Sequence, residues 1–130
     1  MQKSHAQGKP FFINLWIHEP HTPFHVDPKL QKLFPGLPEA DNIYAATLYH
    51  ADLRIGQLLN ALDEMKISDN TLVVFSSDNG PARGLPNSPI TLSYDSATGP
   101  GYGIGAAKGI TGGRRAFKGA LLEGGIGVPF

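Results

Sequence analysis

The chain has 130 residues and a mass of 13.9 kDa, which limits it to one domain, and glycine and proline together supply 27 of those residues. Eleven basic residues balance eleven acidic ones, so the electrostatic attraction that most nucleic-acid binders and acidic-membrane binders rely on is missing. No apolar run approaches the length of a membrane span, and the opening MQKSHAQGKP lacks the apolar centre of a secretory signal. With no cysteine there is no disulfide framework, thiolate metal site or cysteine nucleophile. Hydrophobic residues, at 41%, suffice for a core, whereas 17% charged residues is low for a soluble domain and fits a chain that packs on further protein.

Residues 11–17, FFINLWI, are mostly apolar and rich in aromatic and branched side chains, with prolines at 10, 20 and 23 around them, and are expected to form a buried strand. Five prolines between residues 20 and 38 interrupt any helix and predict an ordered loop or a wandering surface connection. From about residue 41 to residue 65 the period changes. Leu48, Ala51, Ile55, Leu58, Leu59, Leu62 and Met65 recur at spacings of three and four, with His50, Arg54, Gln57, Asn60 and Glu64 opposite, which predicts an amphipathic helix. Gly56 within it costs about 1 kcal/mol relative to alanine and points to close packing there. A turn at residues 68–70 leads into a second expected buried strand, TLVVFS, at residues 71–76. The final stretch, residues 80–130, holds 13 of the 16 glycines without either period and is expected to be loop. So long a loop in a compact domain either builds a site or packs on other protein.

Two strands apolar on both faces, joined by a long helix, predict an α/β architecture built on a parallel βαβ unit with a right-handed crossover. Ligands in such sheets bind beyond the carboxyl ends of the strands. Those ends carry HEPHTP, residues 18–23, and SDNG, residues 77–80, about 55 residues apart in sequence and expected on one rim. The Asp78 carboxylate and Asn79 amide oxygen suit a hard cation, although calcium takes about 6 to 8 oxygens and two residues cannot complete that shell. The same Asp-Asn-Gly tripeptide also reads as a plain turn.

Prolines at 20 and 23 exclude a helical zinc arrangement for His18, His21 and His25, but they fix the backbone of His21, as aiming an imidazole at a substrate requires. Residues 101–106, GYGIGA, lack the preceding strand of a dinucleotide fingerprint, and the lysine at 118 precedes glycine rather than Ser or Thr, so neither is a phosphate loop of known type. What remains is a cationic segment, Arg114, Arg115 and Lys118 among glycines, which reads either as a solvated loop or as a partner for a tetrahedral oxyanion.

Taken in order, KPFFINLWIHEPHTP, YAATLYHADLRIGQLLNAL, NTLVVFSSDNG and RRAFKGALLEGGIGVPF resemble the central to C-terminal part of sulfatases of the alkaline-phosphatase superfamily, across nearly the whole chain. The resemblance implies a partial alkaline-phosphatase-like fold over residues 1–130 and a metal-dependent sulfuric ester hydrolase acting on a sulfated small molecule or glycan. It implies a divalent cation, usually Ca²⁺, on Asp78 and Asn79, sulfate contact and leaving-group assistance by His21, and sulfate contact by Lys118. His18 matches the motif without an assigned role. Export or a lysosomal location is common in the family, and the sequence bears on neither compartment nor oligomeric state.

The departures also matter. Sulfatases attack sulfur with a formylglycine made in a C/S-x-P-x-R motif, which is absent here, as are the N-terminal aspartates of the metal site, and Gly127 stands where the family commonly has arginine. The expectation is therefore a fragment carrying about half an active site, inactive alone. The alternatives are a phosphate or phosphonate monoester hydrolase of the same superfamily, a non-catalytic module that binds sulfated glycans, and a poorly folded remnant.

Overall fold

The computed structural model describes residues 1–85, 87, 88, 90 and 101–129. Among these the regular elements are helical: α1 (Gln2–Ala6), α2 (Pro28–Gln31), the long α3 (Glu39–Glu64) and α4 (Glu123–Ile126), with 3₁₀ turns at Ser68–Asn70 and Ile104–Ala106. None of the described helices is long and apolar enough to cross a membrane.

Helix α3 forms where the three-to-four spacing predicts it. Glu39 and Asp41 in its first turn complement the positive end of the helix dipole. The buried stripe shares Ala51 and Leu62 with the expected one and otherwise differs from it. Ala40, Ile43, Thr47 and Ala51 are buried, while Leu48 and Leu59 stay about 40% exposed. The reason is what the helix packs against: α2 and the Ile104–Ala106 turn lie on its small-residue face, and small side chains permit the closer approach. Thr47 is accommodated there because its hydroxyl donates to the Ile43 carbonyl at 2.8 Å.

A helix also forms inside the proline-rich loop. Proline at the first position of α2 is compatible with helix because the nitrogen there has no helical partner, and Asp27 caps the turn by accepting from the Lys29 N–H at 2.8 Å. Asn42 of α3 then donates to the carbonyls of Gln31 and Phe34, both at 2.9 Å, fastening the end of α2 to α3.

The core joins distant parts of the chain. Phe24, Ile43, Ala106 and Ala107 are buried together, with Val26, Tyr44, Ala82, Ile90 and Tyr102 packed around them. Phe24 meets Tyr44 edge to face at 6.0 Å, and burial pushes the Tyr44 phenol above its usual value. The GYGIGA segment thus serves the core rather than a nucleotide: Tyr102 pairs with Phe24, and a side chain at Gly101 would collide with Pro23.

Residues 11–17 and 71–76 join no ladder, the only β pairings among the described residues being the antiparallel bridges Phe24 with Tyr102 and Arg83 with Lys108. Phe12, Trp16 and Leu72 are 92%, 87% and 90% exposed rather than buried. Apolar composition marks a segment that is buried once neighbours flank it on both edges and faces, and neither segment pairs in a sheet among the described residues. The chain accordingly exposes 9445 Å², against about 6,700 Å² for a compact monomer of this mass.

The close packing expected at Gly56 is not observed. A methyl group added there would meet nothing within 4 Å, so no close packing requires glycine. Gly56→Ala is expected to stabilise the chain by about 0.5–1 kcal/mol through helix propensity, checked by urea denaturation.

Candidate functional site

The C-terminal loop region, expected as loop, is held in place by backbone contacts to the Asp78–Asn79 turn. The Gly80 N–H donates to the Gly125 carbonyl at 2.8 Å, the Lys118 N–H donates to the Pro81 carbonyl at 3.0 Å, and the Ser76 hydroxyl donates to the Pro129 carbonyl at 2.9 Å. These approaches require glycine, because a Cβ on Gly80 would overlap the Gly124 carbonyl and one on Gly124 would overlap the Ala116 carbonyl. Arg83 covers the Phe117 ring at 5.3 Å, which fixes the residue next to Lys118. An exposed carboxylate, an amide and an exposed ammonium group are thereby carried on adjoining backbone.

Within the turn, Ser77 donates to the Asn79 carbonyl at 3.0 Å, and the Asn79 amide nitrogen donates to the Gly80 carbonyl at 2.8 Å. With its nitrogen engaged, Asn79 presents its oxygen as the remaining polar atom, and Asp78 adds a solvent-facing carboxylate. These donors match a hard cation in kind but not in number. Among the described residues no group of three or more His, Cys, Asp or Glu side chains could hold a metal ion.

Gly127 has a structural explanation too. A Cβ there would overlap the Glu123 backbone carbonyl and crowd the Arg114 guanidinium, which donates to the Gly127 carbonyl at 3.2 Å. Arg115 pairs with Glu123 at 3.0 Å, holding the Glu123 carboxyl below its usual range, whereas the Lys118 ammonium has no carboxylate partner among the described residues. Of the three cations singled out in the sequence, Arg114 donates to a backbone carbonyl and Arg115 to a carboxylate, and the Lys118 ammonium does neither among the described residues.

The histidine turn is anchored separately. Its backbone closes through the His21 N–H and the His18 carbonyl at 2.8 Å, with cis peptides before Pro20 and Pro23. The His21 Nδ1 lies 2.6 Å from the Thr22 carbonyl, an acceptor only, so Nδ1 carries a proton and Nε2 is the atom left for a ligand. The rings of His18 and His21 stand 5.8 Å apart. His21 makes no hydrogen bond to Asp78, Asn79 or Lys118 among the described residues. Its turn is linked to theirs through the 101–109 segment, which pairs with Phe24 at one end and with Ala82 and Gly84 at the other.

One contact escapes any local sequence signal. Glu19 accepts a 2.8 Å hydrogen bond from the His50 Nδ1, 31 residues away on α3, although spacing alone places His50 on the solvent face. Burial would raise the Glu19 carboxyl. Backbone hydrogen bonding, the His50 contact and the charges that His50 and His18 carry when protonated outweigh it and hold the group below its usual 4.5. A lowered folded value means that this contribution to stability is complete above 4.5 and is lost as pH falls through the folded value. Melting curves between about pH 6 and pH 3 should therefore show a steeper acid loss in the wild type than in Glu19→Gln, and equal slopes would contradict the coupling.

Comparison with known proteins places this geometry. The sulfatase family model matches residues 1–130. Human iduronate 2-sulfatase is 26% identical over 132 residues, covering 65% of this chain and 24% of that protein. The sulfatase YdeN of Escherichia coli (strain K12) is 35% identical over 106 residues, covering 78% of this chain and 19% of that one. The crystal structure of Ps i-CgsB in complex with k-i-k-neocarrahexaose superposes with a TM-score of 0.73 at 32% identity, covering 98% of this chain and 24% of that one. This chain thus spans a quarter or less of the length of each of these proteins. The agreement extends from sequence pattern to backbone course, and the chain belongs to the sulfatase family, with the alkaline-phosphatase-like fold of its structural neighbour.

Proposed function

We propose that this chain is part of a sulfuric ester hydrolase and carries the half of its active site that holds a cation and the sulfate group. The observation that carries the reading is the docking of the Lys118 loop on the Asp78–Asn79 turn through the Lys118 to Pro81 and Gly80 to Gly125 hydrogen bonds. In this reading Asp78 and Asn79 supply oxygen ligands to a divalent cation, Ca²⁺ by family resemblance, which when bound neutralises charge on the sulfate oxygens. Lys118 places an ammonium against a sulfate oxygen. His21, with Nδ1 held by Thr22, offers Nε2 to the ester oxygen and, when protonated, donates to it as the alcohol leaves. The formylglycine nucleophile of the family has no precursor motif among these residues and belongs to sequence outside them.

The same reading gives the bare apolar segments a role. Residues 11–17 and 71–76 become central parallel strands of the βαβ unit when the other three quarters of the domain flanks them. A sulfated glycan is the favoured substrate class. An open cleft of about 460 Å³ beside the histidine turn is lined by His25, Asp27, Gln31 and Tyr102, groups that hydrogen-bond or stack on sugar rings. The structural neighbour was crystallised with a bound oligosaccharide.

The test is turnover of an aryl sulfate and of the matching aryl phosphate. The purified 130-residue chain should hydrolyse neither. A complete protein containing it should hydrolyse the sulfate in preference and lose that activity with Lys118→Ala. Sulfate turnover by the short chain, or preferential phosphate turnover by the complete protein, would contradict the proposal.

A further inference from the structure

His50 and Arg54 stand one helical turn apart on α3, and His50 reaches the histidine turn at Glu19. Arg54 Nε lies 3.3 Å from His50 Nε2, and the guanidinium also donates to Gln57 at 3.0 Å. A guanidinium can only donate, so Nε2 of His50 accepts and its proton sits on Nδ1, the atom 2.8 Å from the Glu19 carboxylate. The direction of the chain is therefore fixed, from Arg54 through the His50 imidazole to Glu19. Both His50 and Glu19 are largely covered, with side chains 33% and 24% exposed, so the pair is shielded more than an ordinary surface contact.

The position of this chain within the turn gives it its consequence. Glu19 lies two residues before His21, and Phe24, three residues after, is anchored by two backbone hydrogen bonds to Tyr102 at 3.0 and 3.1 Å. His21 thus sits on a short span pinned at both ends, to the 101–102 segment on one side and to α3 on the other. A local bond to Thr22 sets which nitrogen of His21 is protonated, but that bond holds only while the backbone around it keeps its course.

We propose that His50, acting through Glu19 and itself directed by Arg54, is a positioning residue for His21, keeping the His21 imidazole protonated at Nδ1 with Nε2 presented outward. The assignment rests on the sulfatase reading only for what His21 then does. The hydrogen bonds and their effect on the His21 ring belong to this chain whatever it hydrolyses.

The experiment therefore uses the 130-residue chain and no substrate. Nitrogen-15 spectra of the imidazoles, taken about two pH units above the usual imidazole range so that the rings are neutral, report which nitrogen carries the proton. Wild-type His21 and His50 should both appear protonated at Nδ1. In His50→Ala and in Glu19→Ala, His21 should lose that signature and shift toward the Nε2-protonated form that an unconstrained imidazole favours. In His50→Asn, whose amide N–H replaces the ring N–H, and in Glu19→Gln, whose side-chain oxygen still accepts, it should be retained.

The Phe24 and Ile43 resonances monitor the core in every variant, and because Glu19 lies outside that core, Glu19→Ala decides the matter if His50→Ala fails to fold. An unchanged His21 in a folded alanine variant would overturn the proposal. So would equal loss in the alanine and the conservative variants, since the hydrogen bond would then not be the cause. Aryl sulfate turnover plays no part in this readout, so the sulfatase reading could fail while the positioning role stands, and the reverse.

Discussion

Replacing Gly80 with alanine is expected to detach the C-terminal loop region from the Asp78–Asn79 turn. The new Cβ would overlap the Gly124 carbonyl and crowd Gly125, both backbone and unable to rotate aside. The chain must either shift the α4 segment or give up the Gly80 to Gly125 hydrogen bond, and overpacking of this kind costs about 1–3 kcal/mol. The functional consequence exceeds the energetic one, because the same movement carries Lys118 away from Pro81. Urea denaturation should show the loss of stability, and in a complete protein sulfate-ester turnover should fall with it. A Gly80→Ala chain with unchanged stability and unchanged amide shifts at Lys118 would contradict this picture.

Phe24→Ala is the other large effect. Phe24 is 1% exposed, packs with Ile43, Ala106 and Ala107, and meets the Tyr44 ring edge to face, so truncation removes a buried ring and leaves a cavity at the centre of a small core. Such truncations cost about 3–5 kcal/mol. A chain with so much exposed apolar surface has little stability in reserve, so the expected result is loss of a cooperative thermal transition. Because Phe24 also ties the histidine turn to Tyr102, the ordered environment of His21 should disappear together with the transition. A cooperative melt displaced by the equivalent of less than about 1 kcal/mol would show that the core lies elsewhere.

Much of this organisation was legible in the sequence, and the rest was not for identifiable reasons. Helix α3 declares itself through its spacing, and its observed bounds, Glu39–Glu64, lie within two residues of the expected 41–65. Spacing picks out the buried Ala51 and Leu62 but not Ala40, Ile43 and Thr47, which are buried through the elements that approach them rather than through hydrophobicity. The loop expected over residues 80–130 is seen among the described residues except at the Ile104–Ala106 turn and α4 (Glu123–Ile126), while residues 86, 89, 91–100 and 130 lie outside the described residues. That Gly80 and Gly124 are needed for contact between two loops becomes visible only when the carbonyls opposite them are in place.

Residues 11–17 and 71–76 carry the composition of buried strands, yet a strand exists only with a partner, and local composition says nothing about where that partner is. Asp78, Asn79, His21 and Lys118 stand out by their place after the expected strands or in the cationic glycine-rich segment, and resemblance supplies the roles expected of them. The structure joins the Lys118 loop to the Asp78–Asn79 turn and leaves His21 on a separately anchored turn. His50 could not have been singled out, since it belongs to the polar face of an amphipathic helix and its partner is remote in sequence.

Amide hydrogen exchange tests the docking of the Lys118 loop against the Asp78–Asn79 turn directly. The Gly80 and Lys118 N–H groups donate to Gly125 and Pro81 respectively, so both should exchange slowly in the wild-type chain and both should become fast in Gly80→Ala. Exchange of both at the rate of an unstructured peptide in the wild type would contradict the account.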